Sequence, residues 1–371
     1  MPRAAGPGID LVGMPFGMHG LGACMRQKVR ALVARGIDVG VIEENYSSLK
    51  ARVAAPDVAS RVVDRPRHRA ILLCHNLPAI GLLARRRPDL FRDRHVIGAP
   101  YWEFPQLPPS RAEALSHLDE IWVPTRFMAD LFSAHTDKPV RRLPVHLSAR
   151  PRAADGGEGE ALVFGYAFDA TSLVARKDPA VLLLAFLEAF GTAPRAPVRL
   201  ILKCKSEASP LVRRRDIDDL AALARLDPRI EFIDRALDDA EMRALADRID
   251  VYVSPHRAEG LSLGLIEMML RGTPVIATGY SGPAEFLTPD MALPLAHDIT
   301  PVGRAAIGDI ASHFTWAEVR VETLANALAT TAGDPAAARV RAETARSHLA
   351  RRHGAAAFAS AVRDRLERIA A

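Results

Sequence analysis

Short apolar runs alternate along the chain with stretches whose apolar positions repeat at helical spacing. The apolar runs predict buried strands, and the periodic stretches predict amphipathic helices that pack on them. In the first part of the chain, strands are predicted at residues 9–14, 37–42, 70–74, 95–99, 120–123 and 140–143. Helices are predicted at residues 23–35, 109–118 and 126–134. This alternation favours an α/β fold with a parallel, doubly wound sheet.

The same alternation begins again after residue 160. Strands are predicted at residues 161–166, 198–203, 230–233, 251–254 and 274–277, and helices at 179–190, 217–224, 240–246 and 263–270. Residues 148–160 lack periodicity and are rich in Ala, Gly and charged residues, which is typical of a linker. We therefore expect two Rossmann-like domains, residues 1–150 and 151–320, facing each other across a cleft. The helical tail, residues 321–371, is expected to pack back towards the N-terminal domain.

The composition fits this two-domain interpretation and argues against several classes of protein. The chain has 371 residues, of which 49% are hydrophobic and 25% charged, as in ordinary globular domains. The net charge is +5, without a dense basic block. We therefore expect no nucleic-acid partner, while peripheral contact with an acidic membrane surface stays compatible with the charge. The oligomeric state is left open.

The cysteines and the N-terminus indicate the compartment. The chain has three cysteines, far apart in sequence, which argues against a disulfide framework or a zinc site and favours a reducing environment. Its first residues lack the pattern of a signal peptide. We expect a cytoplasmic protein.

The most informative segment is residues 256–267, with the sequence HRAEGLSLGLIE. It leads from a predicted strand into a predicted helix, and Ser262 is expected to cap that helix. The main-chain N–H groups that follow Ser262 would then lack partners within the helix and favour an anion such as a diphosphate. Gly260 and Gly264 would let a ligand approach the backbone closely.

Two carboxylates, Glu259 and Glu267, frame this segment. An ionised carboxylate accepts hydrogen bonds from neighbouring hydroxyl groups, so the pair suits a ribose and a transferred sugar. The alternative is a capping acid followed by a solvated helix glutamate. Residues 279–283, with the sequence GYSGP, are expected to form a second loop at the same sheet edge, or else an ordinary glycine turn.

Basic side chains follow the first two strands of the second domain. Arg176 and Lys177 precede a predicted helix, where they would neutralise a leaving diphosphate. The alternative is a basic pair on a solvated turn. Lys203 and Lys205, at the end of the next strand, are further candidates for the same edge.

In the first domain, candidates for an acceptor site follow three predicted strands. The glycine-rich loop at residues 17–22 contains His19, Gly20 and Gly22. His75 is a candidate catalytic residue on the acceptor side, with a structural histidine as the alternative. Trp102 and Glu103 would bind a sugar by stacking and hydrogen bonding, or would pack in the core.

Taken together, these segments resemble retaining glycosyltransferases of the GT-B fold, in the large family four group, also called group 1. The Glu259-to-Glu267 spacing resembles the E-x7-E motif of that family. Further resemblance lies in residues 20–22, 101–103, 120–127, 176–179 and 272–282, so it touches nearly the whole chain.

The resemblance implies a role for each part of the site. Glu267 would hold the ribose hydroxyls, Glu259 the donor sugar, and Lys177 with Arg176 the diphosphate. The remaining ligand-binding residues implied in this way are Gly260, Leu261, Ser262 and Leu263, with Gly20 and Gly22 of the acceptor-side loop. No Asp-x-Asp motif occupies a matching place, so neither a metal nor a cofactor is expected, and the nucleotide-diphosphate sugar is the donor substrate.

Three positions depart from the family pattern. Ser262 stands where family members usually have glycine. Thr171 and Ser172 occupy the region in which many relatives have an arginine, and Glu285 stands close to a usual aspartate. Two alternatives to a glycosyltransferase therefore stay open: a non-catalytic nucleotide-sugar-binding protein, and a sugar-nucleotide epimerase or hydrolase on the same fold.

Overall fold

The computed structural model describes residues 8–45, 52–147, 149–152, 161–191, 193, 196–206 and 212–370. Its contacts divide the chain into two compact units. The first unit comprises Met1–Ser148 together with Ala350–Ala371, and the second comprises Ala149–Leu349.

A six-stranded parallel sheet forms the centre of the first unit. Its strands are β1 (Gly8–Gly13), β2 (Asp38–Glu43), β3 (Ala70–Leu73), β4 (His95–Gly98), β5 (Glu120–Val123) and β6 (Val140–Arg142), in the order β2-β1-β3-β4-β5-β6. Its helices are α1 (Gly20–Val33), α2 (Pro56–Ala59), α3 (Leu77–Arg86), α4 (Pro109–Ala112) and α5 (Arg126–Ser133). Strand order reverses beside β1, as in doubly wound sheets.

The second unit repeats this plan with a second six-stranded sheet. Its strands are β7 (Leu162–Asp169), β8 (Val198–Lys205), β9 (Ile230–Asp234), β10 (Val251–Ser254), β11 (Val275–Thr278) and β12 (Leu293–Leu295), in the order β12-β11-β10-β7-β8-β9. Its helices are α6 (Val174–Lys177), α7 (Pro179–Phe190), α8 (Arg214–Ala224), α9 (Asp239–Asp247), α10 (Leu263–Arg271), α11 (Val321–Gly333) and α12 (Pro335–Arg352), whose last residues belong to the first unit. An antiparallel hairpin, β13 (Asp298–Pro301) and β14 (Thr315–Glu318), lies outside the sheet.

The chain ends with helix α13 (Ala355–Ala370), which belongs to the first unit. Phe358, Val362 and Leu366 on α13 are buried in one hydrophobic cluster with residues of β1 and α1 such as Leu11 and Met25. The helix thus supplies part of the core of a unit whose other residues lie more than 200 positions earlier, because a parallel sheet must be covered on both faces.

Three local predictions differ from the structure. Only residues 109–112 of the helix predicted at 109–118 are α-helical, and Glu113–His117 form a 3₁₀-helix. The Ser116 hydroxyl donates to the Glu113 carbonyl oxygen at 2.7 Å, a local bond that competes with α-helical pairing. Arg176 and Lys177 lie in the short helix α6 and not in an open turn. Strand β12 and the hairpin β13–β14 were not predicted.

Part of the predicted linker, residues 148 and 153–160, lies outside the described residues. Arg152, within its described part, pairs with Asp250 at 2.6 Å. Asp250 also accepts from the Val163 main-chain N–H at 2.8 Å. The described end of this segment is therefore bound to the second unit.

A buried carboxylate ties α13 to the sheet of the first unit. Glu120, at the start of β5, is fully buried and accepts from Arg365 of α13 at 2.8 Å and from the Trp122 indole at 2.8 Å. His95 and Arg141 lie within ion-pair distance. Burial alone would raise the pKa of Glu120, but the hydrogen bonds from Arg365, Trp122 and His95 hold it below its usual value.

We expect Glu120→Gln to destabilise the first unit by roughly 2 kcal/mol, because it removes a buried carboxylate that accepts hydrogen bonds from charged groups and leaves Arg365 and Arg141 without their counter-charge. Urea denaturation followed by tryptophan fluorescence measures this loss. Asp130→Asn is the control, since Asp130 is 71% exposed in its pair with Arg126 and its loss should cost less than about 0.5 kcal/mol. Equal effects of the two substitutions would contradict a structural role for the Glu120 network.

Candidate functional site

The candidate site lies in the second unit, where two loops follow neighbouring strands. Strand β10 pairs in parallel with β7, with Val251 opposite Phe164 and Tyr252 opposite Gly165. Since parallel neighbours end at the same edge of a sheet, the loop after β7 and the loop after β10 emerge side by side. The segment after β7 contains Lys177 at the end of the short helix α6, and the loop after β10 contains Glu259.

At this edge Glu259 meets both predicted cations. The Lys177 ammonium donates a hydrogen bond to Glu259 Oε1, and Arg176 Nη1 lies 3.2 Å from the same oxygen. Arg176 Nη1 also donates to the Ala258 carbonyl oxygen at 2.7 Å, and its Nε donates to the Ser172 carbonyl oxygen at 3.2 Å. The structure therefore brings together three residues that the sequence predicted separately.

The two cations differ in how far they reach solvent. The side chain of Arg176 is 4% exposed and that of Lys177 is 16% exposed. Arg176 also donates hydrogen bonds to two main-chain carbonyl groups, and these bonds fix the loop. Lys177 is therefore the better placed of the two to meet a ligand, whereas Arg176 holds Glu259 and its loop in place.

The charge of Glu259 is set by these neighbours. Burial alone would raise its pKa, but the positive charges of Lys177 and Arg176 outweigh burial and lower the pKa to about 2. Glu259 is thus ionised throughout the neutral range. An ionised carboxylate accepts hydrogen bonds and does not donate a proton, so Glu259 is suited to hold hydroxyl groups.

The loop after β11 contacts the Glu259 loop and fixes the backbone of Glu259. This is the loop at residues 279–283 that was expected from the sequence at the same sheet edge. The Glu259 N–H donates to Ser281 Oγ at 2.9 Å, and its carbonyl oxygen accepts from the Gly282 N–H at 2.9 Å. A Cβ atom at Gly282 would lie 1.9 Å from the Gly260 carbonyl oxygen. Only glycine fits at 282, and Ser281 is a site residue that sequence reasoning did not identify.

The expected capping role of Ser262 is wrong. Ser262 stands at the position before α10, but its side chain makes no capping hydrogen bond, and its backbone is left-handed with φ of 63° and ψ of 77°. Capping requires extended backbone at this position. A left-handed φ favours glycine, which gives a physical reason for the glycine that the family resemblance implies here.

We expect Ser262→Gly to stabilise the second unit by about 0.5–1 kcal/mol, since glycine adopts this backbone conformation without the steric cost of a Cβ atom. Thermal unfolding measures the change. Ser281→Gly is the matched control: Ser281 also has a positive φ of 56°, but glycine there removes the acceptor of the Glu259 N–H. A lower melting temperature of Ser262→Gly, or an equal rise of the melting temperature in both variants, would contradict a steric cost at Ser262.

Glu267 lies in α10 and is half-buried, one turn after the start of that helix. Burial, followed by the negative charge of Asp239, raises the pKa of Glu267 to about 7, although Arg271 acts in the opposite direction. Glu267 is therefore partly protonated at neutral pH, unlike Glu259. The two predicted carboxylates have opposite electrostatic environments.

The raised pKa of Glu267 predicts a pH-dependent stability. Between pH 4.5 and 7 the folded chain keeps a proton on Glu267 that the unfolded chain loses, so this residue lowers stability as pH rises. Glu267→Gln should therefore gain roughly 2 kcal/mol relative to wild type on going from pH 5 to pH 8. Asp178, whose pKa is raised to about 6 chiefly by burial, is present in both proteins and cancels. Unfolding curves of the two proteins at both pH values measure the difference, and an unchanged difference would contradict the buried environment of Glu267.

The candidates of the first unit follow β1, β3 and β4, which are neighbours in its sheet. His19 caps helix α1, because its Nδ1 accepts from the Gly22 N–H at 3.2 Å. A Cβ atom at Gly22 would lie 2.4 Å from the Gly17 carbonyl oxygen, whereas Gly20 is exposed. His75 is 1% exposed, and burial lowers its pKa to about 4, so its imidazole is neutral near pH 7.

The two alternatives for Trp102 are separated by its contacts. Trp102 is 7% exposed, its indole N–H donates to the Gln106 carbonyl oxygen at 2.7 Å, and the Arg111 guanidinium lies over its ring. These contacts favour packing over stacking on a sugar. Lys203 and Lys205 are likewise buried, with exposures of 7% and 8%, and burial lowers the pKa of Lys203.

Residues 171–303 match the family model of glycosyl transferases group 1. Over this segment the chain is therefore similar to group 1 glycosyltransferases. The matched segment, about a third of the chain, includes Arg176, Lys177, Glu259 and Glu267, so both loops of the candidate site belong to it. A comparison with curated protein sequences finds no match.

Solved structures resemble this chain over most of its length. Sucrose-phosphate synthase from Thermosynechococcus elongatus aligns with a TM-score of 0.69 at 17% identity over 97% of this chain and 98% of its own. HepE from Anabaena, in a complex with UDP-glucose, gives 0.73 at 12% identity over 97% and 99%. TarM from S. aureus gives 0.57 at 12% identity over 78% and 53%. At such identities the likeness shows the fold, and the predicted GT-B fold is confirmed.

The described part of this glycosyltransferase-like chain contains no helix with the length and apolar character needed to cross a membrane.

Proposed function

We propose that the protein is a retaining glycosyltransferase that moves a hexosyl group from a nucleotide-diphosphate sugar to a glycan, lipid-linked or small-molecule acceptor. The observation that carries this proposal is the buried Glu259 carboxylate held by Lys177 and Arg176 at the carboxyl ends of β7 and β10. The family match of the segment that contains them supports the same activity.

In this proposal the donor diphosphate binds Lys177 and the start of α10. The first N–H groups of α10, beginning at Leu263, have no carbonyl partner within the helix, and the helix dipole favours negative charge there. The diphosphate replaces Glu259 as the partner of the Lys177 ammonium. Glu259 then accepts hydrogen bonds from the donor sugar, and Glu267 accepts them from the ribose.

The reaction breaks the bond between the sugar C1 and the diphosphate oxygen. Negative charge develops on the leaving diphosphate, where the positive charge of Lys177 stabilises it. The family resemblance implies a front-face route, in which the acceptor oxygen bonds to C1 on the side that the diphosphate leaves, and its proton passes to the diphosphate. This route retains the configuration at C1, which proton NMR of the product anomer tests directly.

Further features support the choice of donor and the cellular location that we propose. Structures of HepE hold UDP-glucose, so a UDP-sugar is the first donor to test. The three cysteines are all buried and none of them forms a disulfide among the described residues, which supports a reducing, cytoplasmic location. A role in polysaccharide or glycoconjugate biosynthesis, with peripheral contact to a membrane for a lipid-linked acceptor, completes the proposal.

The site assignment predicts the activity of two variants. Lys177→Gln and Glu259→Gln should each lower donor turnover about a hundredfold or more, since each removes a charged group from the reacting centre. The assay is the release of nucleoside diphosphate with an acceptor panel, after a thermal-shift screen of UDP-, GDP- and ADP-sugars has identified the donor. Lys138→Gln is the control, because Lys138 is exposed and lies in the first unit.

The outcomes separate the competing functions. Turnover rates near wild type in both Lys177→Gln and Glu259→Gln would contradict the assignment of the site. Release of free sugar without acceptor would favour a hydrolase, and a converted sugar nucleotide would favour an epimerase. Donor binding without turnover across the panel would favour a non-catalytic nucleotide-sugar-binding protein.

A further inference from the structure

Arg257 contacts two separate parts of the second unit, the segment around Lys177 and strand β14. Its Nε donates to Asp178 Oδ2 at 2.9 Å, and its Nη2 donates to Glu318 Oε1 at 3.3 Å. Its guanidinium lies over the Trp316 ring, 4.8 Å from the centroid. The side chain is 20% exposed, so these contacts are partly shielded from water.

The main chain of Arg257 joins the same parts. Its N–H donates to the Arg176 carbonyl oxygen at 2.8 Å, and its carbonyl oxygen accepts from the Ala317 N–H at 2.9 Å. Lys177 is thus bracketed, because the residues before and after it, Arg176 and Asp178, are both bound to Arg257. Glu259 follows Arg257 by two residues.

The contacts of Arg257 stabilise an unfavourable backbone conformation at Asp178. Asp178 is left-handed, with φ of 47° and ψ of 51°, and helix α7 starts at the next residue, Pro179. L-residues disfavour this conformation, so surrounding contacts must hold it. Asp178 directly follows Lys177, so a change in the backbone conformation of Asp178 would move Lys177 relative to α7. The carboxylate of Asp178 is 9% exposed and is paired with Arg257.

We propose that Arg257 is a positioning residue that holds the Lys177 ammonium against Glu259 through its ion pair with Asp178. The hairpin β13–β14 contributes to this positioning, since its residues Glu318 and Trp316 also contact the Arg257 guanidinium and hold it in place. The effect on turnover rests on the proposed glycosyltransferase function, whereas the effect on the environment of Lys177 does not.

The surroundings of Arg257 allow a local test. Arg257, Asp178, Glu318 and Arg320 line a cavity of about 540 Å³, so water can fill the space that a shorter side chain leaves. Arg320 pairs with Asp298 at 2.8 Å at the same cavity and is 71% exposed. Arg320→Gln is therefore a matched control that removes an arginine pair from this wall without touching Asp178.

The first measurement is the rate at which acetic anhydride modifies Lys177, read by peptide mass spectrometry in the full chain. Arg257→Gln should raise this rate about fivefold, while Arg320→Gln leaves it unchanged and Arg257→Lys, which keeps a cation for Asp178, gives a smaller rise. The modification rate of the exposed Lys138 in the same sample serves as the reference that corrects for differences in reagent concentration. Buried Lys203 reports opening of the second unit.

A rise at Lys177 with Lys203 unchanged supports the proposal. An unchanged rate at Lys177, or a parallel rise at Lys203, overturns it, because the first shows no positioning and the second shows a general structural loss. In the turnover assay Arg257→Gln should lower kcat about tenfold with partial rescue by Arg257→Lys. If wild type itself lacks turnover, the proposed function fails, and the modification rates still decide the role of Arg257.

Discussion

The neutralisation of Glu259 is the constraint on which the candidate site depends. A carboxylate that is 8% exposed must be paired, because an unpaired charge inside a protein is strongly destabilising. Its partner Lys177 lies 82 residues earlier in the chain, and its partner Arg176 directly precedes Lys177. Only the parallel pairing of β7 with β10 brings the two loops to one edge, so the sheet order and the ion pair require each other.

The strained backbone of the second unit gathers around this ion pair. Among the described residues, the non-glycine positions with positive φ are Asp93, Leu173, Asp178, Ser262 and Ser281. Four of them belong to the three loops that carry or contact Lys177, Glu259 and α10. Such conformations persist only where surrounding contacts over-determine them; at Asp178 that contact is the Arg257 ion pair, and at Ser281 it is the hydrogen bond with the Glu259 N–H.

The sequence predicted the strands of the first sheet, all strands of the second sheet except β12, and the residue types of the site, because buried parallel strands and E-x7-E spacing are local patterns. It did not predict the pairing of Lys177 with Glu259, the bracket around Arg257 or the hairpin β13–β14, since these depend on contacts between distant segments. The error at Ser262 has a similar cause. Serine before a helix is usually a cap, and the sequence alone does not show that the chain arrives there in a left-handed conformation.

The two glutamates of the motif show how one spacing gives two chemical environments. Glu259 has a pKa of about 2 because two cations face it, whereas Glu267 has a pKa of about 7 because burial dominates there. Under the proposed function, a donor diphosphate that takes Lys177 deprives Glu259 of a partner, and the sugar hydroxyls then replace it. Diphosphate and sugar are therefore bound as one unit: a nucleoside diphosphate alone would leave a buried carboxylate short of partners, and the intact donor satisfies both charges together.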